Sequence, residues 1–323
     1  MSLRAPLLAA LFPLACVLPG TAEAQDIPDK SLTMVVGFAP GGGADTAARL
    51  IARKLSANLG RTVVVENKAG AGGNIAHDLV ARAEPDGATI LLGSVGPLSI
   101  APHLMKLPYD PVKDLAPITM GVNFPNVLVV PANLGVKSLQ EYIDLARKQP
   151  GRVTYASTGA GSASHLAGEL LNQRAKLNVV HVPYKGGAPA MVDLLAGRVS
   201  SYYSTPSSAQ PHIESGKLVA LATTGLKRPD FMPGVPTIAE SGIPDFNATN
   251  WYAFVAPAKV PAAILDRWNE EIVKVLNDAE IKAQLIKHGL TPEPTSREEL
   301  ARFIANESDT WGRIIKERNI TVQ

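Results

Sequence analysis

Cysteine, aromatic residues and net charge are all scarce in this sequence, and each shortage excludes a class of protein. Cys16 is the only cysteine among 323 residues, and it lies in an N-terminal apolar stretch. A chain without that stretch has no disulfide bond, no thiol nucleophile and no cysteine-ligated metal. Aromatic residues make up 5% and the formal net charge is +2, so we expect no nucleic-acid partner.

The N-terminus has the pattern of a secretory signal peptide over residues 1–24. Arg4 supplies a positive charge, a short apolar core follows, and Ala22-Glu23-Ala24 forms an A-x-A cleavage pattern. The apolar core is too short to span a bilayer, although a membrane anchor and a lipid attached at Cys16 remain as alternatives. The sequence therefore predicts export to the periplasm, with cleavage before Gln25.

The first half of the chain alternates strand-like and helical patterns in the order βαβαβ. Apolar residues recur at helical spacing until Gly60, which is a typical helix stop. The predicted strands are 32–38, 62–66 and 89–93, and the predicted helices are 44–59 and 73–83. This order predicts a parallel sheet with helices on its faces.

A second alternating series follows a proline-bounded segment at 117–131. That segment has two β-like runs, and the second is interpreted as a crossing into another domain. The predicted strands are 118–122, 127–130, 153–157, 179–182, 199–204 and 218–223, and the predicted helices are 138–149, 162–175 and 188–196. The series again predicts a sheet flanked by helices.

The last quarter of the chain predicts a return to the first domain. Residues 251–256 form a β-like run, and helices 262–277 and 296–318 follow it with no further strand expected. We therefore expect an α/β protein of two domains joined by two crossings. The predicted domains are 25–125 with 248–323, and 126–247.

A glycine-rich turn joins the first strand to the first helix. Glycines allow positive φ and close backbone approach, and the first N–H groups of a helix attract anions. The Asp45 carboxylate has an alternative role, in which it supports the helix and touches no ligand. The turn predicts one half of a ligand site, formed by Phe38, Pro40, Gly41, Gly42, Gly43, Ala44, Asp45 and Thr46.

The second series repeats this arrangement, because strand 153–157 runs through a glycine turn into a helix. The predicted ligand-binding residues of this half, with Ser94 from the first, are Ser94, Ser157, Thr158, Gly159, Gly161, Ser162 and His165. A neutral His165 packed against the sheet is the alternative to a ligand contact. Lys185, in a third turn, either offers an ammonium group to an anion or is an exposed surface charge. Two such turns predict a clamp for a ligand with carboxylates at both ends.

Other chemistries fit the motifs less well. Gly41-x-Gly43, with Glu66 ending the next strand, resembles a dinucleotide fingerprint, but Thr46 occupies the third glycine position. The sequence has neither a P-loop nor a G-x-S-x-G elbow, and its six histidines lack metal-ligand spacing. We therefore expect no cofactor, no metal and no catalytic residue.

Five runs along the mature chain share a family pattern: FAPGGGAD (38–45), VENKAGAGGN (65–74), YDPVKDLAPI (109–118), GAGSASHL (159–166) and VPYKGG (182–187). They resemble the Bug family, the substrate-binding proteins of tripartite tricarboxylate transporters. The resemblance implies a two-domain periplasmic-binding-protein fold (flytrap, type II) of mostly parallel sheets, with the ligand in the interdomain cleft. It also implies that the turns grip carboxylates, and that the protein delivers its ligand to membrane subunits. We expect a monomer.

The sequence departs from that family pattern at Ser200–Ser204, where an aspartate-containing run is common. Serine replaces both acids, so an ammonium group would lack a counter-ion if Ser204 faces the cleft. The departure predicts a purely anionic ligand, and an aromatic one could be flanked by Phe38, Tyr203 or Trp251; the alternative is that Ser204 only ends a strand. An exported enzyme of carboxylate metabolism and a ligand-binding partner of a membrane sensor kinase remain as alternative functions.

Overall fold

The computed structural model describes residues 26–321, which form two sheets flanked by helices. The predicted signal peptide at residues 1–24 lies outside the described residues. The first elements are β1 (Leu32–Val36), α1 (Gly43–Leu59), β2 (Val63–Asn67), α2 (Asn74–Ala81) and β3 (Thr89–Ser94). Because β1 pairs in parallel with both β2 and β3, the predicted βαβαβ arrangement is confirmed.

Local sequence explains how α1 is placed on this sheet. Ala48, Ile51 and Leu55 recur at helical spacing and are fully buried, so they form the face that packs against the strands. Gly60 ends the helix with φ at 64°, a left-handed conformation that glycine adopts without a Cβ penalty. The start of α1 is thereby held at the sheet edge where β1 ends.

The middle of the chain forms the second series of elements. They are β4 (Leu115–Pro125), β5 (Val127–Pro131), α3 (Leu139–Lys148), β6 (Thr154–Ser157), α4 (Ala163–Ala175), β7 (Val180–Pro183), α5 (Gly187–Leu195), β8 (Ser201–Ser204), α6 (Pro206–Glu214) and β9 (Leu218–Thr223). All of these except α6 match a predicted element. Helix α6 is not predicted because Pro211 lies inside it, whereas Pro206 occupies a first turn where proline is tolerated.

The last elements return to the first sheet. They are β10 (Thr249–Pro257), α7 (Ala262–Asn277), α8 (Ala279–Lys287), β11 (Thr291–Pro292) and α9 (Arg297–Arg318). A capping box between Ser296 and Glu299 begins α9, where the sequence predicts a helix. The expectation of no further strand is wrong, because β11 pairs with β4; two residues are too few to show a period in the sequence.

The strands form two mixed sheets, ordered β11-β4-β10-β3-β1-β2 and β7-β6-β8-β5-β9. The βα units supply the parallel pairs. The crossing strands enter antiparallel to their neighbours, so both sheets have a larger antiparallel share than the resemblance implies. The carboxyl ends of the parallel strands lie at one edge of each sheet, which is where open α/β sheets bind ligands.

The C-terminal helices pack on the first sheet, as predicted. Trp268 Nε1 donates to Gly87 O at 2.8 Å, and Asn269 Nδ2 donates to Ile118 O at 2.7 Å. These two hydrogen bonds join α7 to both the strand β4 and the loop before β3. Among residues 26–321, no helix has the length and hydrophobicity that crossing a bilayer requires.

Candidate functional site

A cavity lies between the two sheets, at the carboxyl ends of their parallel strands. It is bordered by the segments that follow β1, β3, β6, β7 and β8. The volume open to a water-sized sphere in this cavity is about 20 Å³. Since that is room for roughly one water, the two walls stand in a closed arrangement.

The helices α1, α4, α5 and α6 all begin at this cavity. Residues of their first turns line it, namely Gly43 and Ala44 of α1, Ala163 of α4 and Gly187 of α5, together with the α6 cap Thr205. The first N–H groups of a helix have no partner within the helix, and they carry its positive dipole end. Within residues 26–321, the starts of α1, α5 and α6 have no side-chain cap.

The cavity wall is neutral apart from these helix ends. Of the described residues that line it, none carries a charged side chain, and the polar ones are serine, threonine, asparagine and tyrosine. Backbone groups, hydroxyls and the two asparagine amides therefore provide its polarity. Such a surface favours an anion and provides no counter-ion for an ammonium group.

The first glycine turn is held by the Asp45 carboxylate. Oδ2 accepts hydrogen bonds from the Gly41 N–H and from Arg49 Nε, both at 2.9 Å, and Oδ1 accepts one from Asn67 Nδ2 at 3.0 Å. Gly41 has φ at 83°, a conformation that favours glycine. Because both carboxylate oxygens are engaged, the Asp45 carboxylate supports the turn.

Asp45→Asn is expected to lower the free energy of unfolding at pH 7 by about 1–3 kcal/mol. Burial by itself raises the pKa of Asp45, but hydrogen bonds from Arg49, Gly41 and Asn67 lower it overall from its ordinary value of 3.8. The carboxylate therefore stabilises the fold above pH 3.8, and this contribution is lost as the pH falls through the lowered pKa. Urea unfolding of both proteins at pH 7 and pH 3 should show the difference shrinking in acid. An equal difference at both pH values would contradict the role of the ionised carboxylate.

The second glycine turn is held by hydroxyl groups. Ser162 caps α4, since its Oγ accepts from the His165 N–H at 3.3 Å and donates to Gly159 O at 2.6 Å. Ser164 Oγ accepts from the Thr158 N–H at 2.9 Å. Thr158, Ser162 and Ser164 all line the cavity, so this wall presents hydroxyls on a turn whose shape is already set.

His165 lies behind this turn and does not line the cavity. Its Nδ1 accepts a hydrogen bond from the Gly161 N–H at 3.2 Å, and its ring stacks on His181 with the ring centres 4.2 Å apart. Burial, together with the His181 ring, lowers the pKa of His165 to about 3. The ring is therefore neutral near pH 7 and supports the turn, which matches the alternative stated for it.

The two walls also touch directly at the rim of the cavity. The Ala39 N–H donates to Lys185 O at 3.1 Å, which joins the first turn to the turn after β7. A Cβ placed on Gly72 would lie 2.3 Å from Ala160 O, and one on Gly96 would lie 2.8 Å from Gly161 O. The glycines therefore permit a backbone approach that side chains would prevent.

The structure brings seven of the predicted site residues to the cavity. They are Phe38, Gly42, Gly43, Ala44, Ser94, Thr158 and Ser162. Ten others do not line it: Pro40, Gly41, Asp45, Thr46, Ser157, Gly159, Gly161, His165, Lys185 and Ser204. Lys185 is exposed, and Ser204 is buried with its Oγ donating to Thr205 O at 3.0 Å. Most of the ten shape the turns, while their neighbours face the cavity.

Nine residues that line the cavity were not selected from the sequence. They are Val95, Gly96, Asn126, Ala163, Ser164, Gly187, Thr205, Asn250 and Tyr252. Tyr203, named as a possible flank for an aromatic ligand, lines the cavity, whereas Trp251 does not. A strand followed by Thr205-Pro206 is a signal for a helix start, and it was available in the sequence. Asn126 and Asn250 lie at the two predicted crossings, but their orientation depends on how both sheets are placed.

Two sheets with a cavity between them, walled by the starts of four helices, form the arrangement of a solute-binding protein. Comparison with known proteins agrees. A family model described as "Tripartite tricarboxylate transporter family receptor" matches residues 47–320. The chain belongs to this family, which includes the Bug proteins. The resemblance stated from the sequence motifs is therefore confirmed.

Two relatives illustrate the similarity in sequence. BugT of Bordetella pertussis is 37% identical over 297 residues, covering 91% of this chain and 91% of BugT. A protein encoded in the tcbD-tcbE intergenic region of a Pseudomonas species is 38% identical over 291 residues, covering 90% of this chain and 87% of that protein. The similarity therefore extends over nearly the whole chain.

Solved structures confirm the two-domain periplasmic-binding-protein fold. The periplasmic binding protein BugD has a TM-score of 0.88 at 34% identity, covering 92% of this chain and 100% of BugD. A Rhodopseudomonas palustris protein with adipate has a TM-score of 0.88 at 33% identity, covering 92% and 99%. MatC from the same organism, with bound malate, has a TM-score of 0.85 at 32% identity, covering 89% and 99%.

Proposed function

We propose that this protein binds a small carboxylate in the cavity between its sheets and delivers it to the membrane subunits of a tripartite tricarboxylate-type transporter. The observation that carries the proposal is the convergence of four helix starts on a cavity whose described residues include no charged side chain. The adipate and malate bound to two structural neighbours support the same ligand class. The protein acts by binding and release, without turnover of the ligand.

The ligand is an anion without an ammonium group. Helix N-termini favour a negative charge by about 0.3–1 kcal/mol each, and more in partly buried positions. An ammonium group next to the same N–H groups would meet like charge, and the described residues of the cavity wall offer it no carboxylate. The prediction made from Ser204 required that residue to face the cleft, but Ser204 does not line the cavity and its hydroxyl donates to the Thr205 carbonyl. The neutral cavity wall supports the proposal instead.

Binding requires the two walls to separate and close again. The closed cavity leaves about 20 Å³ for water centres, so a dicarboxylate enters only when the walls move apart. We propose that the two predicted domains are the bodies that move. One is formed by residues 25–125 together with 248–323, and the other by residues 126–247. The crossings between β4 and β5 and before β10 are then the hinge.

Isothermal titration calorimetry with mono-, di- and tricarboxylates, aliphatic and aromatic, tests this proposal. We expect one-to-one binding of at least one member and a melting temperature that rises with its concentration, worth about 2.7 kcal/mol at 100 times the dissociation constant. Matched pairs such as succinate and aspartate test the charge argument, since the ammonium-bearing member should bind at least about tenfold more weakly. A panel without any binding, or tight binding of aspartate alone, would refute the proposal.

Native mass spectrometry of the exported protein tests the remaining parts. We propose that residues 1–24 direct export to the periplasm and are removed, and that the mature chain is a monomer. The expected spectrum contains one chain that begins at Gln25, with a retained small anion or none. Product formation during prolonged incubation with the ligand would favour the alternative of an exported enzyme.

A further inference from the structure

Two asparagines lie where the chain passes between the sheets, and both line the cavity. Asn126 stands between β4 and β5, and Asn250 is the second residue of β10, opposite Phe124 of β4. They are 1% and 8% exposed, respectively. The glycine turns form the two walls, whereas these asparagines belong to the hinge side of the cavity.

Backbone contacts fix the two asparagines relative to each other. Thr224 exchanges hydrogen bonds with Asn126: its Oγ1 accepts from the Asn126 N–H and its own N–H donates to Asn126 O, both at 2.9 Å. Thr224 also exchanges hydrogen bonds with Ala248 on the other crossing, at 2.8 Å each. Both crossings are therefore tied to one residue, and the asparagine side chains are not needed to hold the backbone.

The two side-chain amides share one hydrogen bond and leave two atoms unused. Asn250 Nδ2 donates to Asn126 Oδ1 at 3.3 Å. Asn126 Nδ2 and Asn250 Oδ1 have no hydrogen-bond partner among the described residues. Buried polar atoms normally have partners, and each unpaired one destabilises the protein. This pair therefore points to a ligand group.

The chemistry of that group follows from the pair. If both amides are flipped, the shared hydrogen bond reverses, and one donor and one acceptor again remain free. A carboxylate only accepts hydrogen bonds, so it would pair with the free nitrogen and leave the free oxygen without a partner. A hydroxyl group both donates and accepts, so it satisfies both atoms. A methylene satisfies neither.

We infer that the Asn126–Asn250 pair is a specificity-determining site that recognises a hydroxyl group on the bound carboxylate. The inference rests on the proposed function and narrows the ligand class to hydroxycarboxylates. The helix starts bind the carboxylates, and the Asn126–Asn250 pair binds the hydroxyl group. A site built to bond a hydroxyl discriminates strongly against the analogue that lacks it, because the protein atoms then stay unpaired.

The test compares carboxylates that differ only in a hydroxyl group, using calorimetry on the mature protein. The pairs are succinate with each enantiomer of malate, glutarate with each enantiomer of 2-hydroxyglutarate, and benzoate with 4-hydroxybenzoate. In any pair that binds, we expect the hydroxylated member (the better enantiomer where there are two) to bind about 5- to 150-fold more tightly. Equal affinities, or a preference for the unhydroxylated member, overturn this inference and leave the proposed function standing. If no carboxylate binds, both fail.

The double variant Asn126→Leu/Asn250→Leu supplies the second measurement. It should reduce the preference for the hydroxyl to within about twofold, while the ligand-free melting temperature stays equal or rises, because two unpaired polar atoms are removed. Asn250→Leu alone serves if the double variant does not fold. Asn123→Leu is the matched control, since its amide bonds Glu293 outside the cavity, and it should keep the preference. A preference that survives in the double variant overturns the inference.

Discussion

Gly43→Ala is expected to weaken carboxylate binding by about 5- to 150-fold while leaving the ligand-free protein folded. In the closed arrangement a Cβ on Gly43 would lie 2.7 Å from Thr205 Oγ1 and 2.9 Å from Ser207 Oγ. Those atoms belong to the opposite wall, so the overlap exists only when the walls are closed. Calorimetry gives the affinity, and small-angle scattering with and without ligand shows whether the walls still close.

The ligand-free stability of this variant separates closure from folding. Gly43 is in the first turn of α1 with ordinary helical geometry, and alanine in a helix is favoured over glycine by about 0.5–1 kcal/mol. The melting temperature without ligand should therefore hold or rise slightly. Gly234→Ala is the control, because a Cβ there meets nothing within 4 Å. An unchanged affinity in Gly43→Ala would show that ligand binding does not use this closed arrangement.

Gly168→Ala is expected to destabilise the protein by about 3 kcal/mol and to weaken ligand binding with it. A Cβ on Gly168 would lie 2.2 Å from Cε2 of Tyr155 and 2.4 Å from its Cζ. The Tyr155 ring is 1% exposed and is confined by His181 and Tyr203, with ring centres 5.0 and 5.8 Å away. Since the ring has no room to retreat, α4 must shift, and the second glycine turn moves with it.

A double-mutant cycle in urea tests this account. Tyr155→Leu removes the ring, so Gly168→Ala should cost less in that background than in the native protein. The coupling should favour the double variant by more than about 0.5 kcal/mol. Strictly additive effects would mean that the helix shift has another cause. Tyr203 lines the cavity, and its displacement would explain a parallel loss of affinity.

The turns were predictable because their causes are local. Gly41, Gly159 and Gly161 have φ at 83°, 127° and 76°, and glycine between a strand and a helix is a direct sequence signal for such geometry. The same holds for the Ser162 cap and for the end of α1 at Gly60. Strand and helix periods placed these turns at one sheet edge, so both walls of the cavity were expected.

Side-chain roles at those turns were harder to predict. Asp45 and His165 have the chemistry of ligand contacts, yet each is engaged by its own turn, through the N–H groups of Gly41 and Gly161. Chemical type and position in a motif do not distinguish a group that shapes a turn from a group that faces the cavity. That distinction depends on which backbone N–H groups lie within bonding distance.

The sequence alone determined that this is an α/β protein with a glycine turn at each of two helix starts. It has no thiol after residue 24 and no recognised catalytic motif. Only the tertiary structure decided which atoms face the cavity. Asn126 and Asn250 are 124 residues apart, and they meet because two crossings run side by side and are tied by Thr224. Such contacts depend on how two sheets are placed, and no local pattern in a sequence encodes that placement.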